Sequence, residues 1–199
     1  MSNKLIRFVK TTDASRILSI YEPYIEKTSI TFECKIPSLK DFTQRVEKIS
    51  SFYPYIVCEV DDEVVGYAYA GKIREREAYQ WDAELSIYLD EQYHHMGIGK
   101  LLYMALIDLL KLMNIYNIYG VITLPNDASV SLHKDLGFKE LGIFQKTGYK
   151  FDSWYDVIWL DKSINEFVCP PKPLLSIHDV DEDAINKVIS NYCSKLNAI

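Results

Sequence analysis

Residues 84–102, ELSIYLDEQYHHMGIGKLL, run from a strand pattern through a glycine-bearing loop straight into a helix pattern. Leu85, Ile87 and Leu89 alternate with Ser86, Tyr88 and Asp90, the period of two that puts every second side chain on one face. After the loop the period changes. Leu102, Ala105, Leu106, Leu109 and Met113 recur at three-and-four spacing, so a helix opens near Gly99. A helix start leaves backbone N–H groups unpaired, and together with the helix dipole they favour a phosphate or pyrophosphate at the junction. Any fold of this chain must therefore hold a strand that delivers a glycine-bearing turn to the head of an apolar helix, a junction that can hold an anion. Two familiar phosphate loops do not fit. A Walker loop needs Gly where His94 stands and Ser or Thr where Leu101 stands, and a dinucleotide fingerprint opening at Gly97 needs a third small residue where Leu102 stands. On these residues alone, a plain strand-to-helix turn that uses glycine for its backbone freedom remains an open reading.

The flanking sequence alternates helices with strands. Residues 5–9 read as a first strand, and Thr12 or Asp13 caps a helix with Ile17, Ile20, Tyr21, Tyr24 and Ile25 on one face, loosened at Pro23. TSITFE, residues 28–33, is β-branched and aromatic without a long period and reads as an ordered loop. Ser38 with Asp41 starts a helix that reaches about Ser51. Strands over 55–60 and 64–73 flank the turn Asp61-Asp62-Glu63, and a third spans 81–89 after KIREREAYQ, a charged connector whose plain reading is a solvated loop. A strand over 118–124 is broken by Pro125-Asn126-Asp127, which caps a helix over 128–136 closed by Gly137. Strands over 138–145 and 154–160, joined by TGYKFDS, complete the series. This order predicts an α/β sandwich: one mixed, mostly antiparallel central sheet with helices on both faces.

Beyond Ser163 the character changes, so residues 1–163 read as a main domain and 164–199 as an extension. VCPPKPLL is a stiff linker, and residues 181–196 carry Ile185, Val188, Ile189, Tyr192 and Leu196 at helical spacing. One amphipathic helix cannot fold alone, so it packs on the main domain, on a second subunit or on another partner.

Composition removes several function classes. With 22 basic against 28 acidic residues and a net charge of −6, a nucleic-acid partner is not expected. Cys34, Cys58, Cys169 and Cys193 are widely spaced, which suggests neither a disulfide framework nor a metal site, and they read as reduced and cytoplasmic. The apolar run of the N-terminal segment is too short for a signal peptide, and residues 101–113 are interrupted by Asp108 and Lys111, so no membrane span is expected. Fifteen tyrosines are read as strand and core packing.

Taken together, TSITFE, YPYIVCEV-DDEVVGYAYAGKIREREAYQWDAELSIYL, YHHMGIGKLL, LPNDASVSLHKDLGF and TGYKFDSWYDVIWL resemble the GNAT superfamily of acetyl-CoA-dependent N-acetyltransferases, in its phosphinothricin and methionine sulfoximine branch. The resemblance spans roughly the first four-fifths of the chain. It implies that backbone N–H groups of Met96, Gly97, Ile98, Gly99 and Lys100 hold the CoA pyrophosphate. It implies also that Ile87, Tyr88 and Leu89 lie on a splayed strand that binds the pantetheine arm. The family usually places Gln or Arg and then Gly where this chain has His94 and His95, so these imidazoles either donate to the diphosphate or face solvent. Glu84 matches the family's catalytic glutamate, a base for the acceptor amine, the other reading being a surface charge ahead of an apolar strand. Arg74 and Arg76 match an R-x-R that suits a carboxylate or phosphinate, the other reading being ion pairs with Glu75 and Glu77. Asn126, with Ser129 beside it, matches the asparagine next to the cofactor or is simply a helix cap. His133 stands where many members place the tyrosine that protonates the departing thiolate, though a histidine on a helix is commonly structural. Phe32 would line the acceptor pocket, and Tyr149 and Lys150 resemble a segment that reaches a neighbouring subunit's site, which implies a homodimer. The expected activity is acetyl transfer to a small amino-acid analogue. The rivals are a polyamine or protein N-terminus as acceptor, or a CoA-binding regulator without turnover.

Overall fold

In the computed structural model, which describes residues 3–199, seven strands form one sheet. They are β1 (Lys4–Phe8), β2 (Tyr55–Val60), β3 (Glu63–Lys72), β4 (Asp82–Leu89), β5 (Asn117–Thr123), β6 (Lys139–Lys150) and β7 (Ser153–Ser163), in the order β1-β2-β3-β4-β5-β7-β6. Every neighbouring pair is antiparallel except β4 with β5. Met1 and Ser2, the first residues of the expected main domain, lie outside the described residues.

Five α-helices cover the sheet: α1 (Ala14–Lys27), α2 (Leu39–Ser50), α3 (Ile98–Leu112), α4 (Asp127–Asp135) and α5 (Glu182–Leu196). On one face, Ile17 and Ile20 of α1 with Phe42 and Val46 of α2 bury Tyr55, Val57 and Tyr67 of the sheet. Many of the tyrosines are spent here, as expected. Tyr55, Tyr67 and Tyr69 stack on one another, and Tyr88 packs edge-on against Tyr21 and Tyr24 of α1. On the opposite face α3 is apolar nearly all round. Leu102, Leu106, Leu109 and Leu110 are fully buried, because α3 lies between the sheet and α5.

Two local expectations change, and one open alternative is decided. Asp13 does not cap α1. Its carboxylate instead accepts from the Lys10 N–H at 2.7 Å and pairs with Arg7, which also binds Glu59. Burial alone would raise the Asp13 carboxyl, but the Arg7 and Lys10 hydrogen bonds outweigh it and hold it below the usual value. TGYKFDS is not a loop: β6 runs on to Lys150 and β7 begins at Ser153, so only Phe151 and Asp152 are left to turn. Both have positive φ, 50° and 56°, the tight-turn geometry that matches strand twist, and Asp61 and Asp62 repeat it between β2 and β3. Finally, the extension packs on its own chain. The Tyr192 hydroxyl donates to Asp108 of α3 at 2.6 Å, Leu196 is fully buried, and the Asn197 side chain bonds both backbone groups of Lys4 on β1.

Candidate active site

The sheet opens where β4 meets β5. The two strands pair only at Asp82↔Asn117, Ala83↔Ile118 and Glu84↔Tyr119, after which β4 stays with β3 and β5 with β7. Between them lies a cleft of about 220 Å³ lined by Phe32, Glu84, Tyr103, Asn126, Ser129 and His133, among others. Past Glu84, β4 therefore has one unpaired edge. Odd-numbered residues turn their backbone groups toward it: the Leu85 carbonyl lies 3.4 Å from the Tyr103 hydroxyl and the Leu89 carbonyl accepts from Tyr24 at 2.6 Å, whereas the Asp90 N–H faces β3. Ile87, between those two carbonyls, presents an N–H and a C=O to the cleft. Of the strand residues expected to hold a ligand, Ile87 is thus free to do so. Tyr88 turns its backbone to β3, and the Leu89 carbonyl is already engaged.

The loop after β4 arrives at α3 with no side chain capping the helix, so the N–H groups of its first turn remain available to an anion. Gly97 is the N-cap and has φ +79°, a left-handed conformation that glycine takes without cost. His95 is also left-handed, with φ +62°, so the loop keeps a glycine-like backbone there without glycine. That conformation costs a β-carbon-bearing residue about 1–2 kcal/mol. Met96, Gly97 and Lys100 are exposed, Gly99 is half-buried and Ile98 is buried. Lys100 makes only a loose surface pair with Asp135 at 3.9 Å. His94 does not face solvent. The Tyr24 hydroxyl donates to Leu89, so it accepts the His94 Nε2 proton at 2.9 Å and ties the loop to α1.

Glu84 sits at the fork itself. Among the described residues it has no hydrogen-bond or ionic partner, and burial raises its carboxyl above the usual value. At the inner end of the cleft are His133 and Tyr103, both buried. His133 Nδ1 lies 2.8 Å from the Ser129 carbonyl. A carbonyl can only accept, so Nδ1 carries the proton and Nε2 accepts from the Tyr103 hydroxyl at 2.9 Å. Burial lowers the His133 pKa, which keeps this ring neutral. The ring packs against β5, where a Cβ on Gly120 would come within 2.5 Å of it. Asn126 caps α4, its Oδ1 accepting from the Ser129 N–H at 3.2 Å, while its side chain also borders the cleft.

The outer wall is the loop of residues 28–33. Lys150 is buried and donates to the Thr31 carbonyl at 2.8 Å, the Tyr21 and Thr31 hydroxyls meet at 2.6 Å, and the Phe32 ring packs where a Cβ on Gly148 would clash. Lys150 thus clamps its own chain's wall. Tyr149, on the other face of β6, is exposed, bonds Asp152 at 3.3 Å and rests against Trp154. Arg74 and Arg76 are both exposed and do not line the cleft. Arg74 stacks over Tyr79 and borders a second cavity of about 320 Å³ with Asp82, Tyr119 and Trp159, one strand pair along from Glu84. Among the described residues neither arginine pairs with Glu75 or Glu77, and Glu75 lies 3.8 Å from Lys72 instead.

Three contributors escape a reading of spacing. Tyr103 looks like any large residue on the apolar face of α3, Gly120 like an ordinary strand glycine, and Trp159, whose buried Nε1 has no partner among the described residues, like core. Only the Gly120 contact with His133 carries a signal, because a glycine inside a strand marks close approach.

Among the described residues no group of three or more His, Cys, Asp or Glu is placed to hold a metal ion, and no helix is long and apolar enough to cross a membrane. The family described as the acetyltransferase (GNAT) domain matches residues 6–159. The phosphinothricin N-acetyltransferase of Streptomyces viridochromogenes is 31% identical over 88% of this chain and 95% of its own length. The L-methionine sulfoximine/L-methionine sulfone acetyltransferase of Salmonella typhimurium is 26% identical over 83% of this chain and 97% of its own. Among solved structures, a GNAT superfamily phosphinothricin acetyltransferase from Sinorhizobium meliloti in complex with acetyl-CoA superposes with a TM-score of 0.80 at 30% identity, covering 84% of this chain and 91% of that one. An uncapped helix head beside an open strand edge suits a diphosphate joined to an amide-bearing arm, and with these likenesses it places the chain in the GNAT family, as an N-acetyltransferase whose donor is acetyl-CoA.

Proposed function

We propose that the acceptor is the primary amine of a small amino-acid analogue of the phosphinothricin or methionine sulfoximine and sulfone kind. The observation that carries this reading is Glu84, a partnerless carboxylate at the fork of β4 and β5, in the same cleft as Phe32. The relatives' names supply the acceptor class. Lys150 clamps the wall of the acceptor cleft, and Arg74 offers a donor to an anionic group in the adjoining cavity.

Acetyl-CoA supplies an acyl group activated as a thioester. The first turn of α3, with Lys100, holds its diphosphate, and the Ile87 N–H and C=O hold its amide arm, with Asn126 and Ser129 alongside. Glu84 takes the ammonium proton of the acceptor, directly or through one water, so that the amine can attack. The departing thiolate needs a proton in return. The Nδ1 proton of His133 is tied to Ser129, so the O–H at this end of the cleft is that of Tyr103, which at rest donates to His133 Nε2 and turns from that bond to protonate the thiolate.

The reading also includes a homodimer through the β6–β7 hairpin. β6 is an open sheet edge, and Leu141, Ile143, Phe144, Tyr149, Phe151 and Trp154 are exposed on that hairpin. The acceptor is tested by thiol release from acetyl-CoA with phosphinothricin, methionine sulfoximine, methionine sulfone, spermidine and an alanyl peptide side by side. Turnover confined to the first three is expected; preference for spermidine or the peptide would overturn the acceptor while leaving the transferase standing.

A further inference from the structure

The extension after Ser163 reaches the donor loop. α5 lies antiparallel along α3, with the Tyr192 hydroxyl on Asp108 and Leu196 fully buried. Past the helix, Asn197 clasps β1: its Oδ1 accepts from the Lys4 N–H at 3.1 Å and its Nδ2 donates to the Lys4 carbonyl at 2.7 Å. These anchors set Ile199 at the opposite end of α3. A Cβ built on Gly97 would stand 3.2 Å from Ile199 Cδ1, so this side chain lies directly against the residue that turns the loop into the helix. Ile199 is otherwise 60% exposed and fills no core. What it covers is the loop.

That loop needs support. His95, Met96 and Gly97 are exposed, and His95 is held in a conformation that persists only where its surroundings impose it. His94 fixes one side of the loop to α1 through Tyr24, and Ile199 closes on it from the α5 side. We infer that the extension is a brace for the donor-binding loop, with Ile199 as a positioning residue that keeps the Gly97 backbone ready for the diphosphate. A loop ordered during folding does not have to be ordered again on binding, so the brace acts on donor affinity. The inference rests on the reading of residues 96–100 as the diphosphate site.

The test is calorimetric titration of the full chain with CoA, alongside steady-state kinetics. Ile199→Ala is expected to raise the Kd for CoA and the KM for acetyl-CoA about three- to tenfold, from the cost of ordering a loop residue. Saturated kcat and the acceptor KM should not change, and Ile199→Leu should restore affinity. Gly97→Ala probes the underlying reading and should weaken CoA binding on its own. If it does and Ile199→Ala does not, the brace is wrong and the diphosphate site stands. If neither variant alters binding, the site reading fails and takes the brace with it. A fall in melting temperature for Ile199→Ala without any change in Kd would show a merely structural role and overturn the inference.

Discussion

Glu84 carries a cost that its neighbours do nothing to relieve. Its folded-state pKa is raised by burial, so ionising it costs more in the folded chain than in the unfolded one. The penalty is absent below the unfolded value of about 4.3 and complete above the folded one. Glu84→Gln should therefore melt higher than the parent at pH 8 and no higher at acid pH, while kcat falls by about 10²-fold or more and the acid limb of the rate profile disappears. Full activity in Glu84→Gln across that range would exclude it as the base. Tyr103→Phe, by contrast, should lower kcat about 10²-fold and leave the acid limb and both KM values in place; unchanged kcat would return the proton to solvent. The two residues were not equally legible. Glu84 stands in a recognisable motif, whereas Tyr103 acquires its role only from a histidine thirty positions on, through a contact that helical periodicity does not encode.

At the scale of elements, the wall of residues 28–33 has no secondary structure of its own and depends on what holds it. Lys150→Met removes the Thr31 contact and should raise the acceptor KM about tenfold, equivalent to ~1.4 kcal/mol, with the donor KM unmoved. An unchanged acceptor KM would mean that the loop holds its shape without Lys150. Alternation and caps gave most of the sheet and helices because each strand has one clearly buried face and Ser38, Asn126 and Asp181 all cap as their residue types suggest. The β6–β7 connector was hidden because its turn uses Phe151-Asp152 in place of the usual Asn-Gly, and polar Thr147 and Lys150 in the strand mimic a loop. The R-x-R placement was equally unreadable, since a loop conformation and not a period decides where Arg74 points.

For the whole molecule, the two edges of the sheet differ. β1 is closed by Asn197 and Cys193 of the extension, while β6 is open and apolar. Charges placed there, as in Phe144→Lys with Trp154→Glu, should convert a dimer into a monomer by light scattering and leave the helical signal intact; an unchanged mass would move the subunit contact elsewhere or remove it. The closed edge has a different consequence, one of timing. Lys4 and Asn197 lie 193 positions apart, and Thr31 and Lys150 lie 119 apart. At ordinary rates of synthesis roughly ten to forty seconds separate the emergence of β1 from that of its cover. Until Lys150 follows, the nascent chain presents an unclamped acceptor wall, and until Asn197 follows, an uncovered strand edge. Ribosome-associated chaperones would meet it in that state, and a message cut short would release a product that is at once inactive and prone to pair with its own kind.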